Sequence, residues 1–381
     1  MIYCDHNAST PLRPEVFEAM LPHLRERYGN ASSVHALGSR ARCAIEDARA
    51  QVAALIGAQP AEIVFTSGGT ESNNLAIQGI VRGAARTKIV TTKIEHASVR
   101  EPIAALQAEG RRVQCLSVDG VGRVDAAAMA NVADDVALVS VGWANNEVGT
   151  IQSIEAIAAA CVRSGVPLHV DAVQAAGKVP VQVRGIDLLS LSAHKIGGPQ
   201  GVGALFVRRG VEVRPLLLGG GQERGRRAGT ENVAGIVGMG EACRVTAAEL
   251  GAYGEACVAL RDALWEQLQA RVPAVRRNSP AGGDCLPNTL NVTFDGVRGE
   301  ALVAALDLVG VAVSGGSACA AGGGEPSHVL LALGRDADAA RNGVRFSFGR
   351  TNGSADVERV VTHTAACVER IRGTRGSLRH E

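Results

Sequence analysis

Lys195 closes the run "DLLSLSAHK" and is followed at once by the glycine-rich "IGGPQGVGAL". A lysine in a loop is ordinarily a solvated charge. Here a β-rich apolar stretch before it, Ser192 and His194 beside it and glycines behind it argue for a closed site at a strand end. Desolvation and nearby positive charge lower a lysine's pKa toward the free amine, which can then form a Schiff base with a carbonyl.

That chemistry suggests pyridoxal phosphate, and residues suited to such a cofactor stand upstream. Asp171, in "HVDAVQAAG", ends a strand-like run, where a carboxylate can pair with a pyridine nitrogen and keep the ring an electron sink. Taken alone it reads equally well as a helix N-cap. "EIVFTSGGTESNNLAI" reads as strand, Gly-Gly turn and helix, so backbone N–H groups near Gly69 and the Thr70 hydroxyl can hold a phosphate at the positive helix end. His96, in "TTKIEHASV", can stack on a planar ring and also shuttle protons near neutral pH.

A second nucleophile lies far downstream. "SGGSACAAGGG" (314–324) surrounds Cys319 with Ser, Gly and Ala only, a composition that lets a backbone move and gives the thiol little to pack against. The same run also reads as an inert flexible linker. The remaining eight of the nine cysteines are scattered without a C-x-x-C pair, which speaks against a disulfide framework and against a metal site.

The elements that must position these residues follow from periodicity. From about 60 to 210, β-rich runs at 62–66, 88–92, 136–141, 167–172, 186–192 and 203–209 alternate with helical patterns, the signature of an α/β fold with a mostly parallel sheet. The polar and glycine-rich turns after those runs point to one ligand site at the strands' carboxyl ends. A long apolar-periodic stretch over 232–272 predicts a connecting helix or helix pair, and the alternation beyond it a smaller α+β domain.

Composition bounds the partners. Lys plus Arg number 39 against 38 Asp plus Glu, and aromatics are 3%, so neither a charge excess for phosphate backbones nor rings for stacking bases are available, and nucleic acid is not expected as a partner. The start "MIYCDHNASTPLRPEVF" has no signal-peptide pattern, and no long apolar run follows, so no membrane partner and a cytoplasmic location are expected.

Taken in order, "YCDHNASTPL", "YGNASSVHALG", "FTSGGTESNN", "EHASV", "WANNEVGTIQ", "HVDAVQAAGKVP", "SLSAHKIGGPQGVGAL", "GGGQERGRRAGTEN", "LPNTLNV", "SGGSACAAG" and "VRFSFGRTN" resemble the cysteine desulfurases of the class V aminotransferase family, most closely the NifS/IscS-like branch. The resemblance spans nearly the whole chain. It implies a homodimeric fold-type I pyridoxal 5'-phosphate enzyme with a seven-stranded, mostly parallel sheet, which converts L-cysteine to L-alanine and keeps the sulfur as a persulfide on its own cysteine. Sulfur would then pass to an acceptor protein, such as a scaffold for iron–sulfur cluster assembly, or to another thiolation pathway.

Carried over by residue, the resemblance makes Lys195 the Schiff-base lysine, Asp171 the pyridinium partner, His96 the ring-stacking acid/base and Cys319 the persulfide carrier. Asn146 and Gln174 contact the ring oxygen or the substrate. Gly69, Thr70, Ser192 and His194 surround the phosphate, and Thr230, in "ERGRRAGTEN", reaches the phosphate of the neighbouring subunit. Arg345 grips the substrate carboxylate, for which its planar fork is suited; an ordinary strand-end salt bridge is the plainer reading. The Arg224, Arg226 and Arg227 cluster reads as a solvated or interfacial face. The expected division is a large cofactor-binding domain, 13–252, and a small domain of 1–12 and 253–381 carrying a mobile cysteine loop at about 314–328. Another fold-type I reaction, such as transamination or selenocysteine lysis, would share Lys195 and Asp171 without needing Cys319.

Overall fold

The computed structural model describes residues 1–125, 128, 135–315 and 325–377; Cys319 lies outside the described residues. Strand β1 (Ile2–Tyr3) leads into helices α1 (Pro14–Arg25) and α2 (Ala36–Ile56). Strands and helices then alternate through β2 (Ile63–Thr66), α3 (Gly69–Val81), β3 (Lys88–Thr92), α4 (Ala97–Ala108), β4 (Arg112–Leu116), β5 (Val136–Gly142), α5 (Ile154–Ser164), β6 (Leu168–Asp171), β7 (Leu188–Ser192) and β8 (Gly203–Val207).

These strands form one seven-stranded sheet in the order β2-β8-β7-β6-β5-β3-β4. Strand β8 runs antiparallel to both its neighbours, and the other pairs are parallel. Successive residues feed opposite faces: Phe65, Val139, Leu189 and Phe206 join one core with α2, α5 and the start of a later helix, while Val64, Leu138, Leu188 and Leu205 join another with α3 and α4. A strand covered on both faces is mostly apolar, which is why "VALVSV" and "LLSL" show no alternation, their single buried serines, Ser140 and Ser190, each pairing with the His169 ring. Edge strand β4 is mostly exposed and carries no such apolar run.

Helix α6 (Val233–Arg271) is one continuous helix of 39 residues, resolving the alternative left open by the sequence. Its first half contributes Ile236, Met239 and Cys243 to the sheet's core, and its second half contributes Cys257, Leu264 and Leu268 to a separate core. That core lies on a four-stranded sheet, β12-β13-β10-β9, made by β9 (Val275–Arg277), β10 (Thr289–Phe294), β12 (Ser314–Gly315) and β13 (Gly343–Ser347). Helix α7 (Gly299–Leu308), strand β11 (Val311–Ala312), the short helices α8 (His328–Ala332) and α9 (Ala337–Arg341), and α10 (Ser354–Ser377) complete the chain. Strand β1 pairs in parallel with β11, so the N-terminus packs with the C-terminal elements.

Cys43 and Cys115 are exposed, whereas the other six described cysteines are buried. Burial pushes the Cys4, Cys161 and Cys243 thiols up to about 12, so they stay protonated at neutral pH. Among the described residues no helix is long and apolar enough to cross a membrane.

Candidate active site

A cavity of about 310 Å³ opens where the carboxyl ends of the parallel strands meet the antiparallel sheet. Gly69 and Thr70 reach it from the start of α3, His96 from the N-cap of α4, and Asn146 from the loop after β5. Asp171 and Gln174 follow β6, Ser192, His194 and Lys195 come with β7, and Arg345 enters from β13. The fold thus gathers ten of the twelve residues singled out in the sequence. Thr230 is exposed in the loop before α6 and does not line this cavity.

Lys195 ends a single helical turn, Ala193–Lys195, directly after β7. Gly197 has φ of 80°, and a Cβ there would lie 2.5 Å from Arg13 Cγ, so only glycine lets the chain turn away beneath the lysine. Lys195 Nζ donates to the carbonyls of Asn7 and Ala8, both at 2.7 Å. Thr10 ties the same N-terminal segment to the turn by donating its hydroxyl to His194 O at 2.8 Å.

Asp171 is held on both oxygens: Asn73 Nδ2 donates to Oδ2 at 2.8 Å and the Val173 N–H to Oδ1 at 3.0 Å. Asn73 Nδ2 also donates to Ser98 Oγ at 2.8 Å, and Ser98 Oγ lies 2.8 Å from His96 Nδ1. The Ser98 N–H donates to the same Nδ1 at 3.1 Å, so that atom is an acceptor and neutral His96 carries its proton on Nε2. Burial is the main cause that lowers the His96 pKa; the Asp171 charge opposes it, and Lys195 and Arg100 add to it.

The wall expected to meet a phosphate is the N-terminus of the thirteen-residue α3. A Cβ on Gly69 would lie 2.8 Å from Val173 Cγ2, so the turn's close approach to β6 needs glycine. Beside it, burial and the Lys195 and Lys178 charges push His194 down to about 4. Arg345, 2% exposed, donates from Nη2 to Asp5 Oδ1 at 2.6 Å and from Nη1 to Asn146 O at 2.8 Å. Its Nε is buried with no hydrogen-bond partner among the described residues, so the salt bridge is real and leaves donors of the guanidinium unused.

The Aminotransferase class-V family model matches residues 2–360. The chain belongs to the class-V aminotransferase family. It is 44% identical over 377 residues, 97% of this chain and 95% of the relative, to a cysteine desulfurase IscS of Dictyoglomus turgidum. Among solved structures, a NifS-like protein matches with a TM-score of 0.91 at 37% identity, covering 97% of this chain and 99% of that one. The structure titled SspA in complex with cysteine matches with a TM-score of 0.81 at 35% identity, covering 92% and 99% of the two chains.

Several residues of this class-V site escaped the sequence reading. Asn73, in "TSGGTESNN", and Ser98, in "EHASV", are both buried at this site, and neither was among the residues expected there. Asn7 lines the cavity and Asp5 pairs with Arg345 at its edge, in the segment that follows β1, which pairs with β11. In the arginine cluster, Arg227 is paired: its Nε donates to Glu71 Oε1 at 2.9 Å, while Glu71 Oε2 accepts the Ser67 N–H at 2.7 Å. Arg49 and Glu223 form a buried bidentate pair, at 2.7 and 2.9 Å, that fastens the same loop against β2.

Proposed function

We propose that this chain is a pyridoxal-phosphate-dependent cysteine desulfurase that converts L-cysteine to L-alanine and carries the sulfur off as a persulfide on Cys319. The observation that carries this reading is the convergence of Lys195, Asp171 and His96 on one cavity, in a chain 44% identical to a protein named cysteine desulfurase. The relative with cysteine in its title supports the substrate.

The residues present fit the cofactor. They supply an amine, a carboxylate steadied by two donors, a helix N-terminus and a glycine where any Cβ would intrude. Lys195 would anchor it, Asp171 would accept from its ring nitrogen, His96 would stack on the ring, and Gly69, Thr70, Ser192 and His194 would hold the phosphate. When bound, the protonated ring draws electrons from the bonds at the substrate's Cα.

Arg345, with Nε in reserve, would take the substrate carboxylate, with Asn146 at the cavity wall beside it. Lys195 Nζ, which donates to the carbonyls of Asn7 and Ala8, would take the α-proton and return a proton. His96 enters with its proton on Nε2 and would therefore act first as a donor at that atom. The Cys319 thiolate takes the substrate's sulfur, the electron pair of the broken C–S bond stays with carbon, and a proton completes the methyl group of alanine. Cysteine plus the Cys319 thiol thus balances alanine plus the persulfide.

The persulfide would pass to an acceptor protein such as an iron–sulfur scaffold. Thr230, exposed and away from its own cavity, supports a homodimer in which it reaches the neighbouring subunit's phosphate. The division into 13–252 and 1–12 plus 253–381 is supported by α6, whose buried residues change core between Thr246 and Cys257. Incubation with L-cysteine followed by mass spectrometry tests the whole reading: one sulfur gained on the Cys319 peptide, with alanine in solution, is expected. Pyruvate or another keto acid without any sulfur gain would overturn it.

A further inference from the structure

Lys178 is 4% exposed, lies seven residues beyond Asp171 and has no part in the chemistry above. Its Nζ donates to Gln174 Oε1 at 2.6 Å and to Asn7 Oδ1 at 2.8 Å. Both partners are neutral amides at the cavity floor, and each could in principle present either end. An ammonium has donors only, so both amides must turn their oxygens toward it; a neutral amine still has two N–H groups, enough for the same pair of bonds.

The rest of the network agrees with that orientation. Asn7 Oδ1 also accepts from Asn288 Nδ2 at 3.0 Å, and Asn7 Nδ2 donates to Thr289 Oγ1 at 2.8 Å. Gln174 Nε2 donates to Asn7 O at 2.9 Å, the carbonyl that also accepts from Lys195. With Oε1 turned to Lys178 and one N–H on Asn7 O, the donor Gln174 has left for the cavity it lines is its second N–H.

We propose that Lys178 is a positioning residue: by holding Gln174 Oε1 it fixes the Gln174 amide as a hydrogen-bond donor to the cavity, so that the ligand oxygen opposite is bound as an acceptor. Resting on the function proposed above, that oxygen is the ring hydroxyl of pyridoxal phosphate, held as the oxyanion. Without Lys178 only the bond from Nε2 to Asn7 O would hold that orientation, and an amide turned to present Oε1 would repel an oxyanion.

The test is a double-mutant cycle read as the dissociation constant of pyridoxal phosphate, titrated by absorbance into apoprotein. Lys178→Met and Gln174→Met should each weaken binding by about tenfold, the loss of roughly one good hydrogen bond. Because Lys178 acts through Gln174, the double variant should bind no more weakly than Gln174→Met alone. Additive losses, or an unchanged constant in Lys178→Met, would overturn the inference. A second variant covers the case in which Lys178→Met does not fold. Gln174→Glu leaves Lys178 its oxygen partner but replaces the donor by an acceptor, so binding should fall further than in Gln174→Met; affinity equal to wild type would mean that Gln174 presents an oxygen to the ligand, and would also overturn it. If the unaltered protein takes up no pyridoxal phosphate at all, the proposed function fails and this inference falls with it.

Discussion

Asn73 Nδ2 lies 2.8 Å from both Asp171 Oδ2 and Ser98 Oγ, so a single amide joins the carboxylate that ends β6 to the histidine that caps α4. The carboxylate's other donor is a main-chain N–H, which no side-chain substitution removes. Asn73→Leu, close in volume, deletes the amide alone. A charge-assisted hydrogen bond is worth roughly 1.5–3 kcal/mol, so pyridoxal-phosphate affinity should fall at least tenfold, read by absorbance titration. Wild-type affinity in this variant would mean that Val173 N–H alone orients Asp171.

Lys195→Ala should abolish covalent retention of the cofactor. Borohydride treatment of the cofactor-loaded wild type is expected to leave a mass increment on the peptide containing Lys195, and the variant should show none on any lysine. An increment on another lysine in the variant would reassign the anchor.

The sheet was legible because its strands are covered on both faces: runs such as Val136–Val141 and Leu188–Ser192 are mostly apolar because they are buried there, and a parallel sheet follows from the helices between them. Lys195, Asp171 and His96 were legible for a related reason, since each is a polar residue at the abrupt end of such a run. Asn73, Asp5 and Lys178 were not, because what marks them is a partner distant in sequence. Asp5 matters through Arg345, 340 residues away, and that pairing exists only once β1 lies against β11 and Asp5 bridges to Ser347. Strand β4 was missed because an exposed edge strand needs no apolar alternation.

Two buried carboxyls predict an alkaline loss of stability. Burial pushes Glu95 and Glu147 up to about 7, although each accepts a hydroxyl hydrogen bond, from Thr92 and from Ser327 respectively. A carboxyl whose folded pKa lies above its unfolded value stabilises the fold fully below that unfolded value, here 4.5, and the contribution is lost as pH rises through about 7. The melting temperature should therefore decline between about pH 5 and pH 8. Glu147→Gln cannot ionise and can still accept from Ser327, so it should melt about 1 °C above wild type at pH 8 for each kcal/mol recovered, with little difference at pH 5. Parallel wild-type and variant curves would rule out Glu147 as the source.

Arg345→Lys should separate binding from chemistry. The lysine keeps a charge near Asp5 but loses the planar fork whose Nε is the unpaired donor. KM for L-cysteine should rise by about tenfold or more with a smaller change in kcat, the pattern of lost ground-state binding. An unchanged KM would leave Arg345 with a structural role alone, as the partner of Asp5 and Asn146 O.

Cys319→Ser tests the sulfur carrier. Six of the eight described cysteines are buried, three of them with thiols pushed up to about 12, so they are poor substitutes as thiolates. The cavity residues that would hold the cofactor are untouched by the change, so the variant should bind pyridoxal phosphate and develop the same yellow absorbance as wild type. It should form no persulfide and release alanine at a small fraction of the wild-type rate, because a serine hydroxyl cannot take the substrate's sulfur. Full alanine production would mean that the sulfur leaves by another nucleophile, with exposed Cys43 and Cys115 the first to examine by mass spectrometry.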